Sequence, residues 1–258
     1  MSAKSQDVVL LHGKPFRKQV ILADANVPYK LTLDRTKNKL FFCINADEFS
    51  NQSFHSVVLD LDTGVGSVIP GIRNGFASAV DPVEGTVYLG GSEGIFTYNY
   101  QTLDIDKSPL IKGVDVFDMF FKNEIFFVDT ATQNLCTVKN GRKFPVKTLK
   151  EFLIQHFVID NKDDTYFINS MGLFVLPHGS KTATAYPDSN LNFRGAAVDA
   201  NGVPYFIAED GIFSIDQQSK SLQKVLSVKN GYGLAFDKDN NIVYSDDRSL
   251  TKLIPLKY

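Results

Sequence analysis

The chain alternates short runs of β-branched and aromatic residues with short polar turns, and no stretch shows the 3.6-residue period of a helix. Residues 195–228 read GAAVDANGVPYFIAEDGIFSIDQQSKSLQKVLSV and divide into four such runs. The turns between them carry Asp, Asn and Gly, which favour tight turns through side-chain hydrogen bonds or backbone freedom. The pattern predicts four consecutive short β-strands.

This unit repeats along the chain, with similar stretches starting at Tyr29, Gly75, Phe117, His156 and Gly231. Aligning the first turn of each copy places six residues in one column: Asp34, Asp81, Lys122, Asp160, Asp199 and Asp237. Successive members lie 47, 41, 38, 39 and 38 residues apart. A period near 40 with four strands per unit is typical of propeller blades. The sequence therefore predicts an all-β fold, a six-bladed β-propeller of four-stranded blades, as one domain over residues 1–258.

The predicted blades lie near residues 28–72, 73–113, 114–152, 153–190, 191–230 and 231–258. The last copy supplies only three strands, so we expect an N-terminal strand at residues 18–23 to complete it and close the ring. Two segments, VVLLHGKPF and LTKLIPLKY, compete for the third-strand place in that blade. We expect 23 or 24 strands, and we expect the repeated turn aspartates to be structural, accepting hydrogen bonds from turn amides.

Composition narrows the classes of partner. A net charge of −2 and a pI near 6.1 give no electrostatic reason to expect nucleic acid or an acidic membrane surface. No segment is long enough to span a membrane, and we expect a monomer. Cys43 and Cys136 fall two blades apart in the alignment, so we expect free, buried thiols rather than a disulfide.

A candidate ligand site comes from the start of the inner strands, which should meet at one mouth of the central channel. Two adjacent columns of the repeat bring aromatic, basic and acidic side chains to this level: Tyr29, Lys30, Phe76, Phe117, Asp118, Gln155, His156, Arg194 and Tyr232. The second strands should end at the same mouth with Asn45, Ser92, Asp129, Asn169, Glu209 and Asp246. Aromatic faces stack on flat ligands and a basic side chain holds a carboxylate, here Arg194 or Lys30. The competing interpretation is that these aromatic residues only pack against neighbouring blades.

Catalytic signals are poor. Residues 90–94 match the G-x-S-x-G pattern, but that motif needs a strand-to-helix turn, and a strand is predicted to follow. The four histidines show no metal-ligand spacing. We therefore expect no catalytic residue, no cofactor and no metal.

Four segments carry a resemblance to a known family: VVLLHGKPFRKQVIL, PYKLTLDRTKNKLFFCIN, YFINSMGLFVLP and FIAEDGIFSID. Their order resembles the ommochrome-binding protein family of moth haemolymph. The resemblance implies a secreted six-bladed propeller that binds a planar, acidic phenoxazinone pigment. The apolar run near the N-terminus is too short for a signal-peptide core, so a cytoplasmic location stays open.

Two other classes remain as alternatives. Gluconolactonase- and paraoxonase-type propellers share the G-x-A-x-D rhythm of the inner strands, and they hold a divalent metal through inner-strand carboxylates. Here Tyr29 stands where their first-blade Glu is wanted, and Asp118 is the only carboxylate in the two columns. A propeller that binds another protein through its rim, such as a haemolymph growth-promoting or signalling factor, needs no recognisable site.

Overall fold

The structure, a computed structural model, describes residues 8–46, 51–187, 189–216 and 219–256. Residues 47–50, between the predicted second and third strands of blade one, lie outside these ranges. The described residues form 26 strands in six antiparallel sheets, and their only helical segment is one 3-10 turn at Lys147–Leu149. The fold is a six-bladed β-propeller, as predicted. The strand number is higher than the expected 23 or 24 because two blades carry an extra short strand.

The N-terminal segment contributes the first two strands, β1 (Val8–Leu11) and β2 (Lys14–Leu22). Blade one follows with β3 (Tyr29–Asp34), β4 (Lys39–Asn45), β5 (Phe54–Asp60) and β6 (Gly66–Val68). Blade two contains β7 (Ala77–Val80), β8 (Val87–Gly91), β9 (Gly94–Asn99), β10 (Asp104–Ile105) and β11 (Ile111–Lys112). Both β10 and β11 pair with β9. Blade three contains β12 (Val116–Lys122), β13 (Glu124–Asp129), β14 (Leu135–Lys139) and β15 (Arg142–Pro145).

The second half of the ring repeats the same order. Blade four contains β16 (His156–Ile159), β17 (Thr165–Asn169), β18 (Gly172–Leu176) and β19 (Thr184–Ala185). Blade five contains β20 (Phe193–Val198), β21 (Pro204–Ala208), β22 (Gly211–Ile215) and β23 (Leu222–Ser227). Blade six contains β24 (Leu234–Phe236), β25 (Ile242–Ser245) and β26 (Leu250–Pro255). The innermost strands β3, β7, β12, β16, β20 and β24 each contact the next, and β24 returns to β3.

Six hydrophobic clusters lie between adjacent blades. The cluster between blades six and one, for example, joins Leu31 and Leu40 to Val243 and Leu250. Strand side chains alternate between the two faces of a sheet, and the clusters show that every blade has apolar residues on both faces. A single blade would therefore expose both of its apolar faces to water, and an open row would leave one face exposed at each end, so the closed ring is the arrangement that covers all of them.

Ring closure joins the two ends of the chain. β2 pairs with β26 in antiparallel register from Phe16↔Pro255 to Leu22↔Leu250, so the N-terminal strand completes the last blade as predicted. The competition for the third place is decided for β26, and β1 lies outside β2 as a fifth strand. β1 also contacts β23 of blade five, which covers part of the blade edge.

The turn aspartates are structural, as predicted. Asp34, Asp81, Asp160, Asp199 and Asp237 are all buried, and one carboxylate oxygen of each accepts hydrogen bonds from two backbone N–H groups of its own turn. Burying a carboxylate is costly unless it is hydrogen-bonded, and these turns supply the bonds locally. Because each turn provides the hydrogen bonds that its own buried carboxylate needs, aspartate recurs at this position of the repeat.

Two further sequence expectations are met. Cys43 and Cys136 are free and buried. The G-x-S-x-G match is a packing feature, because β9 begins at Gly94 as a strand. A Cβ at Gly90 would lie 2.6 Å from Val116, and Gly94 has a φ of +151° with the Ile111 carbonyl 2.2 Å from an added Cβ. The glycines of the motif are required for close approach of neighbouring strands.

Deletion of residues 1–23 removes β1 and β2 and should open the ring, since β26 would then present an unpaired edge. We expect aggregation or loss of cooperative thermal unfolding. Deletion of residues 1–13 is the control, because it removes β1 and keeps the β2–β26 pairing. A single cooperative transition at the parental melting temperature in the longer deletion would contradict closure by β2.

Candidate functional site

One end of the central channel is closed by aromatic side chains. Tyr29 packs edge-on against Phe54 and Tyr232, with ring centroids 6.1 and 5.3 Å apart. Phe76 links Tyr29 to Phe117 at 5.9 and 5.2 Å. We call these five residues the collar. Such tilted and edge-to-face contacts are favourable ring geometries, so the collar holds itself together as well as covering the channel.

β-Bulges set the direction of several side chains at this level. The pairing register shifts between Tyr29 and Thr32 in blade one, between Val116 and Asp118 in blade three, and between Phe193 and Gly195 in blade five. The shifts leave Phe117 and Arg194 unpaired, and Lys30 adopts a left-handed backbone with φ of 54°. A bulge redirects the side chains beside it. Three inner strands are therefore distorted at the same height around the channel.

Directly beneath the collar lies an ionic trio of Lys30, Asp118 and His156. The Lys30 ammonium donates to Asp118 Oδ1 at 3.1 Å and to His156 Nδ1 at 2.8 Å. Their side chains are only 7%, 14% and 12% exposed, respectively. The Lys30 ammonium also lies 4.7 Å from the centroid of the Phe117 ring and 5.4 Å from that of Phe76. Aromatic faces attract a cation, so the collar contributes to holding Lys30 in place.

Burial and the charges within the trio together shift the pKa values of its three side chains. Burial lowers the pKa of Lys30, and Asp118 opposes that effect without cancelling it. Burial alone would raise the pKa of Asp118, but the charge of Lys30 holds it below its usual value. Burial and the Lys30 charge lower the pKa of His156. At neutral pH the carboxylate is therefore ionised and the imidazole is neutral.

The neutral His156 has a defined tautomer. An ammonium group only donates hydrogen bonds, so Nδ1 accepts from Lys30 and the ring proton sits on Nε2. The 3.4 Å approach of Nδ1 to Asp118 Oδ2 is then a close contact without a shared proton. Within the described residues Nε2 has no hydrogen-bond partner, and His156 lines the cavity described next. The trio therefore fixes a donor at the closed end of the channel.

A cavity of about 540 Å³ extends from the trio along the channel to the turns that follow the inner strands. Its middle is mainly apolar and includes Leu33, Phe120 and Ala197. At the turn end it is bordered by Thr36 and Asn201, which are exposed, so the cavity opens to solvent there. The collar end is closed and the turn end is open.

The structure brings together eight of the nine predicted site residues. Lys30, Asp118, His156 and Tyr232 line the cavity, whereas Tyr29, Phe76, Phe117 and Arg194 lie in or against the collar. Arg194 stacks 4.4 Å from the centroid of the Tyr232 ring and pairs with Glu209 at 3.3 Å. For Gln155 the described contact is a backbone hydrogen bond to Ile168 at 2.8 Å. That a ligand binds at these residues stays a prediction.

Several polar side chains at the ends of the second strands are engaged by their own turns. Asp129 and Asp246 accept hydrogen bonds from the turns that follow them, and Asn169 does the same through its side-chain oxygen. These polar side chains satisfy local N–H groups, as the aspartates do at the other end. At these three residues a side-chain oxygen is therefore already used by the turn that follows.

Sequence reasoning missed two residues of this channel. Phe54 enters the collar from the start of β5, after a connection from β4 that is longer than its counterparts in the other blades, so no repeat copy gives a column to compare. Arg35 lines the turn end of the cavity, directly after a turn aspartate that was assigned a structural role. A search for basic residues directly after the turn column would have found Arg35 together with Lys238, because the other copies have Pro82, Asn123, Asn161 and Ala200 at that place.

The donors at the closed end do not fit a divalent-metal site of the lactonase type. Asp118 is the carboxylate there, and the ammonium of Lys30 already lies beside it. In the ranges that the structure describes, no group of three or more His, Cys, Asp or Glu side chains is arranged to hold a metal ion. Calcium-like ions need several converging oxygen ligands. No helix of the described chain is long and apolar enough to cross a membrane.

The chain is similar over nearly its whole length to a curated protein, the ommochrome-binding protein of Manduca sexta. The two are 29% identical over 255 residues, which cover 97% of this chain and 92% of that protein. This relative confirms the family resemblance predicted from the sequence. No protein-family model matches the chain.

Solved structures share the fold at low sequence identity. A gluconolactonase from Xanthomonas campestris has a TM-score of 0.73 and 11% identity, covering 93% of this chain and 90% of its own. Regucalcin, a calcium-binding protein from Agrobacterium tumefaciens, has a TM-score of 0.70 and 11% identity, covering 93% and 96%. A virginiamycin B lyase from Staphylococcus aureus has a TM-score of 0.60 and 14% identity, covering 93% and 100%. These similarities support the β-propeller fold and leave the activity of this chain open.

The variant Asp118→Asn should lower the free energy of unfolding by about 3–5 kcal/mol, because it leaves a buried ammonium without its counter-charge. The control Asp163→Asn removes the partner of Lys122, where the two side chains are 48% and 28% exposed, and should cost about 0–1 kcal/mol. Urea unfolding measures both. The double variant Lys30→Met/Asp118→Leu should recover most of the loss. A cost below about 1 kcal/mol for Asp118→Asn would contradict a buried ion pair.

Proposed function

We propose that this chain, a relative of ommochrome-binding protein, binds and carries a small planar aromatic ligand of the ommochrome type and is not a hydrolase. The central cavity is the observation that supports this proposal most. Its volume of about 540 Å³ lies in the range of small-molecule sites, which are mostly apolar with a few placed polar groups. The relationship to a protein named for ommochrome binding points to the same class of ligand.

The ligand is proposed to lie in the channel with its flat face against the apolar wall. Phe120 and the small side chains of β20 supply that wall, and the trio supplies polar donors at its closed end. Aromatic and aliphatic walls favour a planar ring system through the area that they remove from water. The proposed ligand thus has a ring face for the wall and an acceptor for Lys30 or His156.

The predicted location was the collar mouth, with Arg194 facing an acid group of the ligand. In the structure Arg194 already stacks on Tyr232 and pairs with Glu209, and one of its terminal nitrogens is buried without a partner among the described residues. A ligand at the collar has to displace packed rings, whereas the cavity is already open. For this reason the cavity is the proposed location and the collar the second one.

The same relationship supports a location outside the cell, in insect haemolymph, as the family resemblance implied. The ligand, as a planar acid with a large apolar face, is of the kind that needs a carrier in water. A role in carriage needs no catalytic group, which agrees with the poor catalytic signals in the sequence.

Spectral titration with the ommochrome xanthommatin tests the proposal. The parent protein should bind it, and Ala197→Phe should abolish binding because the larger ring fills the cavity. Ala185→Phe is the matched control, since Ala185 is exposed on the outer strand β19 and should leave affinity unchanged. Cooperative thermal unfolding of both variants shows that they are folded.

The titration also distinguishes the two locations. If Arg194→Ala or Phe117→Ala weakens binding while Ala197→Phe does not, the ligand occupies the collar. If xanthommatin does not bind the parent protein, the proposal of an ommochrome carrier fails.

The lactonase hypothesis is tested separately, with protein purified without chelators and analysed for bound metal. We expect no stoichiometric calcium or other divalent ion and no hydrolysis of simple lactones, because Asp118 already pairs with Lys30. Stoichiometric metal together with lactone hydrolysis that stops on chelation would replace the carrier proposal with an enzyme.

A further inference from the structure

The cavity has basic side chains at both of its ends, and their surroundings differ. At the closed end Lys30 is engaged by Asp118 and His156. At the turn end Lys122 donates to the Asp160 carbonyl at 2.8 Å and pairs with Asp163 at 3.4 Å. Arg35 also lines the turn end, is only partly exposed, and makes no hydrogen bond or ion pair with any described residue. Among the basic cavity residues of the described chain, Arg35 is the one whose donors remain unused.

The environment of Arg35 explains why it is neither paired nor fully hydrated. Burial lowers the pKa of its guanidinium, and the carboxylates of Asp199 and Asp237 oppose this at longer range. Both carboxylates are committed to their own turns, and Asp237 also pairs with Lys252 at 2.6 Å. A guanidinium presents five donors in a rigid fork that matches a carboxylate. A partly buried Arg without an acceptor is therefore suited to an anion that arrives from solvent.

The two polar ends lie on one strand, which fixes their separation. Lys30 and Arg35 are five residues apart at the start and just beyond the end of β3. At about 3.3 Å per residue the two Cα atoms are at most roughly 16 Å apart along the strand. A ligand that reaches both ends has to be elongated, with an acceptor at one end and an anionic group at the other.

We infer that the ligand enters through the turn end and lies along the channel, with a carboxylate on Arg35 and a ring carbonyl or similar acceptor at Lys30 and His156. This inference rests on the proposed function and specifies the ligand class: an elongated planar aromatic acid. Arg35, rather than Arg194 or Lys30, then selects for the acid group. The donor at His156 Nε2 is the counterpart at the closed end.

The test measures discrimination between an acid and its ester. Binding of xanthommatin and of its methyl ester is compared in the parent, Arg35→Gln and Lys37→Gln. Lys37 is the matched control because it lies two residues further on, outside the cavity, and is held by Asp34 and the Tyr100 ring. The parent and Lys37→Gln should prefer the acid about ten- to a hundredfold, as expected for a charge-assisted hydrogen bond. Arg35→Gln should bind acid and ester almost equally, with its affinity for the ester unchanged.

The possible results distinguish a failure of the proposed function from a failure of the role inferred for Arg35. If the parent binds neither compound, the proposed function itself fails. If the parent prefers the acid and Arg35→Gln prefers it as strongly, the acid group lies elsewhere and the inference is wrong. Equal binding of acid and ester by the parent also overturns the inference, because the carboxylate then contributes nothing to binding.

Discussion

The structure depends on the covering of every blade face by a neighbour. Apolar residues occupy both faces of each inner sheet, and the six interblade clusters account for the hydrophobic core. Without closure, blades one and six would each expose one such face, and blade six would also expose the edge of β26. The pairing of β2 with β26 removes both problems at once, because it completes blade six and ties the two ends of the chain together.

Ring closure has a consequence for the channel. The inner strand of each blade pairs on one side only, so six strands present backbone N–H and C=O groups toward the axis. Unpaired backbone groups are tolerated only where water or a ligand reaches them. The channel therefore stays open over much of its length, and side chains close it at one end. The collar and the trio do this by combining ring contacts with an ion pair, so that Lys30 has both a counter-charge and aromatic neighbours.

The trio also separates this channel from that of a metal-dependent propeller. A positive charge is already present beside Asp118, and it belongs to the chain itself. The shared architecture with a gluconolactonase and a calcium-binding protein thus supports the fold and leaves the chemistry to the side chains, as expected for a fold with many functions. The channel of this chain provides a cavity with a mainly apolar wall and hydrogen-bond donors at its closed end.

The sequence by itself determined the number of blades, the structural role of the turn aspartates, and the closure of the ring by the N-terminus. These features follow from local turn chemistry and from a unit that recurs six times along the chain. The same signal is therefore present several times within one sequence. The sequence also placed Lys30, Asp118 and His156 at one level, although they lie far apart along the chain. Only the tertiary structure decided that bulges redirect Lys30 and Phe117, that Phe54 completes the collar, and that the open volume faces the turns and Arg35. Bulges, side-chain directions and the closure of one channel end result from packing between blades, and such contacts between distant segments leave no periodic signal in a single sequence.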